Sequence, residues 1–238
     1  MKHIKIKFYA VSFGWSYGGI MDIRIKAKEG CEISISWGDG KNITHIFRSR
    51  FAVVFSHDYF PKHITPPLSG VKFQVEISSD DPDCQIIDLH LTPMDMGAEE
   101  LDVSNCPELE NLTYSGYNSS WVPDTPRTID LSRNTALKYL NCRWNGFTSL
   151  DLSHNTELEK LDCRDNRLLH LSLANNFALK KLDCSFNKME QLFIYYAPEL
   201  SEAEIEDRNN LDEATLSKIQ EIIEENKRLC TKSTGVNK

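Results

Sequence analysis

Leu137-x-x-Leu140-x-Cys142-x-x-Asn145-x-Phe147, Leu158-x-x-Leu161-x-Cys163-x-x-Asn166-x-Leu168 and Leu179-x-x-Leu182-x-Cys184-x-x-Asn187-x-Met189 are three copies of one pattern, set 21 residues apart. A second stripe fills the gaps: Ile129-Asp130-Leu131-Ser132, Leu150-Asp151-Leu152-Ser153, Leu171-Ser172-Leu173-Ala174 and Leu192-Phe193-Ile194-Tyr195. A further asparagine follows at Asn134, Asn155 and Asn176. One such unit is too short to bury its own apolar face. Stacked units bury each other's Leu, Ile and Cys in one continuous core, with successive strands about 4.8 Å apart. The asparagines are suited to pairing inward-pointing peptide groups where the chain turns.

The string resembles the leucine-rich repeat, L-x-x-L-x-L-x-x-N-x-L, with Cys in the third aliphatic slot. It is similar to the short-repeat type common in bacterial surface and interaction proteins, and the match covers about residues 101–200. The resemblance implies a solenoid with protein recognition as its usual work.

Both ends of the repeat depart from the pattern. In the first coil Leu101-Asp102-Val103 leads to Leu109 and Leu112, Tyr114 takes the Cys slot, and Cys106 takes an Asn slot. Seven extra residues fall in Asn118–Thr128, which holds Trp121, Pro123 and Pro126, and insertions in repeats map to loops. The last coil keeps Leu200 and Ile205 but loses its Cys. Asp212 then reads as an N-cap, and Leu216, Ile219, Ile222 and Ile223 form one apolar stripe. A solenoid needs its open end covered, so this helix is the expected cap.

The first 85 residues alternate apolar and polar side chains, in Ile4–Phe8, Met21–Ile25, Ile33–Trp37 and Val71–Ile77. Period-two runs broken by Gly, Pro and Asp predict antiparallel strands in a small β-sandwich. Trp37-Gly38-Asp39-Gly40, then His57-x-Tyr59, then Gly70-x-x-Phe73-x-Val75 resembles the polycystic-kidney-disease (PKD) type of immunoglobulin-like sandwich, over roughly residues 18–80. The long segments Lys41–Ser56 and Pro61–Ser69 depart from that pattern. Ile86–Leu91 reads as the start of the solenoid, with Ile87 and Leu89 over its first coil. The expected fold is therefore mainly β, in two domains. A PKD-like β-sandwich (1–85) precedes a leucine-rich-repeat solenoid (86–210), a capping helix (211–230) and a frayed tail (231–238).

Composition bounds the function. The 238 residues carry a formal charge of −8, which argues against a nucleic-acid partner. Residues 1–85 hold 11 Lys+Arg against 9 Asp+Glu, and the remainder 16 against 26, so the two parts differ in surface charge. No apolar run approaches the roughly 18 residues needed to span a bilayer, so membrane insertion is not expected. The N-terminus reads as a strand and not a signal peptide. The default location is cytoplasmic, or secreted or at the surface if a leader was removed. Seven cysteines without a CxxC pair point to reduced thiols.

Few residues suggest chemistry. Cys142, Cys163 and Cys184 could hold zinc, but no His shares their slot, and a small buried hydrophobe is the better reading. Asp39 could help bind calcium, yet turn chemistry explains it. His57 has no partner marked by a catalytic motif, and the other histidines lack ligand spacing. The acidic stretch Glu199–Glu213, with seven carboxylates, reads as a solvated face.

In x-L-x-C-x the Leu and Cys point inward, so their neighbours point out. That exposes Tyr139, Asn141 and Arg143, then Lys160, Asp162 and Arg164, then Lys181, Asp183 and Ser185, with Trp144 and Phe186 just beyond. The alternative is that these are ordinary solvated residues, with Asp162 and Asp183 pairing laterally to Lys and Arg. The leading expectation is a non-enzymatic module that binds a protein partner on this strand face, with no cofactor and no metal. A second candidate surface is the Trp121 loop. The second functional hypothesis is carbohydrate binding or cell-surface adhesion through the sandwich, using Trp15, Tyr17, Trp37 or Tyr59. A hydrolase is the third.

Overall fold

A computed structural model describes residues 4–12, 20–59, 72–93, 96–116, 127–194, 197–205 and 209–234. Trp15, Tyr17, Trp121, Pro123 and Pro126 lie outside the described residues. The structure is mainly β, with a solenoid of about five turns and one C-terminal helix among the described residues.

Two sheets make up the N-terminal half. In the first, β4 (Asn42–Ile46), β3 (Glu32–Ser36), β6 (Lys72–Ser79), β1 (Ile4–Ser12) and β8 (Met96–Asp102) lie side by side in that order, every neighbour antiparallel. The second begins with β5 (Val53–Asp58), β2 (Ile20–Ala27) and β7 (Ile86–Pro93), also antiparallel. Alternation explains the burial: Ile4, Ile6 and Phe8 of β1, Met21, Ile23 and Ile25 of β2, and Ile33 and Ile35 of β3 are all buried. The segment Lys41–Ser56, where the PKD pattern is interrupted, contains β4 and the start of β5.

The second sheet does not stop at β7. Its far edge pairs in parallel with β9 (Asn111–Tyr114), and the ladder runs on through β10 (Tyr139–Asn141), β11 (Lys160–Asp162), β13 (Lys181–Asp183) and β15 (Glu202–Glu204). β7 is therefore the switch from antiparallel to parallel pairing. β7 and β8, placed on the solenoid side of residue 85 by the sequence, are strands of the two N-terminal sheets as well. The buried hydrophobic residues form one cluster from Ile4 to Ile219. Leu89 is buried in this seam as expected, but Ile87 is only half-buried. Ile86 takes the core position, because the ladder to β2 shifts register between Lys26 and Ala27.

Each solenoid turn repeats the same contacts. Leu137, Leu140, Cys142, Leu158, Leu161, Cys163, Leu179, Leu182 and Cys184 are 0–3% exposed. Burial pushes the Cys142, Cys163 and Cys184 thiols well above the usual range, so they stay protonated, as small hydrophobes do. Asn166 donates from Nδ2 to the carbonyls of Cys142 (3.0 Å), Cys163 (2.9 Å) and Arg164 (3.3 Å), and its Oδ1 accepts from the amides of Asn145 (3.2 Å) and Phe147 (3.0 Å). Asn145 and Asn187 occupy equivalent rungs. Asn209 extends the column by donating to the Cys184 carbonyl at 3.0 Å, although strict 21-residue spacing points to position 208. A second column, Asn134, Asn155 and Asn176, serves the opposite side of the coil, and Cys106 stands in its first rung. On that side β12 (His170–Ser172) pairs in parallel with β14 (Gln191–Phe193).

In the first column the residue before Asn145, Asn166 and Asn187 sits in the left-handed region: Trp144 (φ 59°), Asp165 (φ 54°) and Phe186 (φ 56°). A non-glycine residue there is strained, and the strain recurs because the following asparagine must face inward. The close approach of the first turn to Trp144 requires Gly116, where a Cβ would lie 1.9 Å from the Trp144 carbonyl oxygen.

Helix α1 (Glu213–Thr234) closes the last turn. The Asp212 carboxylate accepts the Thr215 amide at 2.7 Å, as an N-cap does, and Ile219 is buried. Asn226 reaches from α1 to the carbonyls of Ala197 and Leu200, both at 2.8 Å, so the cap satisfies turn groups that no further coil is present to serve. The helix continues past residue 230 into the segment expected to fray, because no helix breaker comes before Gly235. It is not long and apolar enough to cross a membrane.

Three outcomes test this account. Asn166→Ala leaves buried carbonyls and amides unpaired and lowers unfolding free energy by about 3 kcal/mol in urea titration, with Asn166→Asp at least as damaging. Gly116→Ala costs about 1–3 kcal/mol in the same assay, because backbone must move. Peptide mapping after treatment with a charged alkylating reagent finds Cys142, Cys163 and Cys184 unmodified in native protein and modified after denaturation. Labelling of the native state contradicts a dry ladder.

Candidate functional site

The in-register parallel strands line up outward residues in columns. Tyr139, Lys160, Lys181 and Glu202 form one; Asn141, Asp162, Asp183 and Glu204 form the next. Lys160 therefore neighbours Lys181, and Asp162 neighbours Asp183. Like charges on adjacent strands oppose folding, and nearby opposite charges offset the repulsion. Arg143 reaches Asp162 at 3.7 Å, Arg164 reaches Asp183 at 3.9 Å and Asp165 at 3.1 Å, and Lys181 reaches Glu202 at 2.7 Å. Burial and the Asp183 charge raise the Asp162 pKa, with Arg143 and Arg164 pulling it back. The lateral pairing weighed as the alternative reading is present, made by Arg143 and Arg164.

The aromatic residues border these columns. The Arg143 guanidinium lies 4.6 Å from the Trp144 ring centre, and that of Arg164 lies 5.3 Å from Phe186. Two expected surface residues are instead buried. Asn141 is 6% exposed, because its Oδ1 accepts from the Ser115 hydroxyl and the Arg143 amide, both at 3.4 Å. Ser185 is 4% exposed and lies in a depression under α1 with Leu216, Ile219 and Ile223, its hydroxyl donating to Asp183 at 2.6 Å. Neither offers a free contact.

Five of the remaining strand-face residues meet α1 across a groove of about 660 Å³, whose lining does not include Arg143, Trp144 or Arg164. Tyr139, Lys160, Asp162, Lys181 and Asp183 form its floor on one side, joined by Glu202 and Glu204. Gln220, Ile223, Glu224 and Lys227 of α1 form the opposite wall. Glu202 and Glu204 were legible in the sequence, as they stand 21 residues after Lys181 and Asp183. The α1 residues were not, since spacing along a helix does not say where it docks.

The sugar-platform reading loses two of its residues. Trp37 is 3% and Tyr59 8% exposed. Trp37 stacks on His57 at 4.6 Å, and the Tyr59 hydroxyl donates to the Trp37 carbonyl at 2.9 Å. His57 Nε2 lies 2.9 Å from Asp39 Oδ2, while Asp39 Oδ1 accepts the Lys41 amide at 3.1 Å. Gly38 is required in this turn, because a Cβ would lie 2.5 Å from the Gln74 carbonyl oxygen. Asp39 and His57 thus hold a turn against the buried core of the N-terminal sheets. Trp15 and Tyr17 lie outside the described residues.

The repeat, the cysteine ladder and the β-solenoid together fit a leucine-rich-repeat protein. No protein-family model and no curated protein matches the chain. Among solved structures, it is similar to the functional domain of InlJ from Listeria monocytogenes, which includes a cysteine ladder. Identity is 33%, the match covers 48% of this chain, and the TM-score is 0.41. The chain spans about a quarter (24%) of the length of that structure.

Proposed function

We propose that this chain is a non-enzymatic recognition module that holds a segment of a protein partner in the groove between the solenoid strand face and α1. The observation that carries the reading is the groove itself, with rigid strands on one side and a helix on the other. Its floor stacks lysine on lysine and aspartate on aspartate, an arrangement that folding alone does not favour. A partner with complementary charges relieves it. Tyr139 and Ile223 add apolar surface within the same groove.

The N-terminal half is proposed as a PKD-like β-sandwich that shares its core and its β7 edge with the first turn of the solenoid. The glycine-bearing Trp37–Gly40 turn and the His57 and Tyr59 contacts support this reading. Protein recognition is preferred to glycan binding, because Trp37 and Tyr59 are packed inward.

Partners captured by wild-type protein and identified by mass spectrometry are purified and titrated against Tyr139→Ala, Lys181→Glu and Lys160→Glu, all substitutions of groove residues. Each substitution weakens binding about tenfold, the scale of a modest hot spot. Arg133→Ala, on the exposed side of a turn, leaves affinity unchanged. Equal affinity for all three groove variants and wild type overturns the groove proposal.

A further inference from the structure

Cys31 immediately precedes β3 and Cys84 lies two residues before β7, so these two thiols stand at the starts of strands in different sheets. Two turns bring them together. The Cys31 amide bonds the Lys28 carbonyl at 3.1 Å, and the Cys84 amide bonds the Asp81 carbonyl at 3.2 Å. The turns are tied across the gap, as the Lys28 amide donates to the Gln85 carbonyl at 2.9 Å. Cys31 Sγ accepts the Gln85 amide at 3.2 Å, which places that sulfur against the backbone next to Cys84. The Cys31 thiol is near enough to Cys84 to raise the pKa of the Cys84 thiol. Both are free thiols, 2% and 6% exposed.

The cysteine ladder differs. Cys142, Cys163 and Cys184 are fully enclosed and directly follow the in-register parallel strands β10, β11 and β13, whose backbone ladder continues through the Cys142 and Cys163 amides. Their Cβ atoms therefore keep the strand spacing of about 4.8 Å, beyond the usual disulfide range of about 3.5–4.5 Å. Cys84 instead lines a surface depression of about 120 Å³ beside Pro82 and Pro107.

We propose that Cys31 and Cys84 are a reversible disulfide site, oxidised by exchange with a low-molecular-weight disulfide such as oxidised glutathione. The Cys84 thiolate attacks one sulfur of the reagent, forming a mixed disulfide and releasing one thiolate. The Cys31 thiolate then attacks the Cys84 sulfur and expels the second. Two protein thiols and one small disulfide become one protein disulfide and two small thiols. The bond joins the five-stranded sheet to β7, the strand on which the first solenoid turn is built. Burial, with the neighbouring Cys31 thiol, pushes the Cys84 thiol up to about 12. Exchange is therefore slow at neutral pH and accelerates about tenfold per pH unit as thiolate forms.

Native protein is incubated with oxidised glutathione at mildly alkaline pH, blocked, digested without reduction and mapped by mass spectrometry. The expected product is a single Cys31–Cys84 linked peptide pair, lost on reduction. The expected thermal midpoint of the oxidised protein is about 10 °C higher, since the bond closes a loop of 53 residues in the unfolded chain. Cys84→Ser, checked for native circular dichroism, shows neither the link nor the rise. The wild-type map decides the question even if that variant misfolds. Recovery of Cys31 and Cys84 as free thiols, as stable glutathione adducts, or paired with another cysteine such as Cys106 overturns the proposal.

Discussion

A stacked coil must turn its backbone inward at its corners, and every peptide group buried there needs a partner. The asparagine columns meet that need. Asn145, Asn166, Asn187 and Asn209 occupy one corner, and Asn134, Asn155 and Asn176 the other. Each side chain bonds the carbonyls of its own turn, of the turn before, or of both, so the columns join turns as well as closing them. Without these amides the Leu and Cys core would be packed beneath unpaired carbonyls, and the apolar burial would be offset by desolvation. The recurrent left-handed residues at Trp144, Asp165 and Phe186 are a local cost of keeping the asparagines inside.

The same constraint explains both ends of the pile. At the start, β7 supplies an edge whose other side is already paired to β2, so the first parallel turn never exposes an unpaired strand. At the far end the Ala197 turn has no following coil, and Asn226 of α1 donates to its carbonyls instead. One consequence is positional. Because α1 must reach that last turn, it passes beside the strand columns and creates the groove with Lys160, Asp162, Lys181 and Asp183. A requirement of stability thus shapes the candidate working surface.

The strand-face residues show how far spacing can be read. Lys160, Asp162, Lys181 and Asp183 follow from alternation about a buried Leu, and they stand where it puts them. Asn141 and Ser185 obey the same alternation and are nevertheless buried. Asn141 lies under Ser115, a residue of the degenerate first coil, and Ser185 lies under α1. Both exceptions come from elements outside the repeat. Asn209 is a smaller case: one added residue in the last coil moves the column asparagine off the 21-residue count, and its hydrogen bonds place it back in the column.

Periodicity in the chain determined the solenoid, its dry cysteine ladder, its asparagine columns and the existence of a terminal helix. Each is a local consequence of which residues recur at which interval. Only the tertiary structure decided that one sheet passes from antiparallel to parallel pairing at β7, that α1 walls a groove, and that Cys31 meets Cys84. Those are contacts between segments with no shared period, and nothing in residue spacing encodes the distance between two turns that the folded sheets bring together.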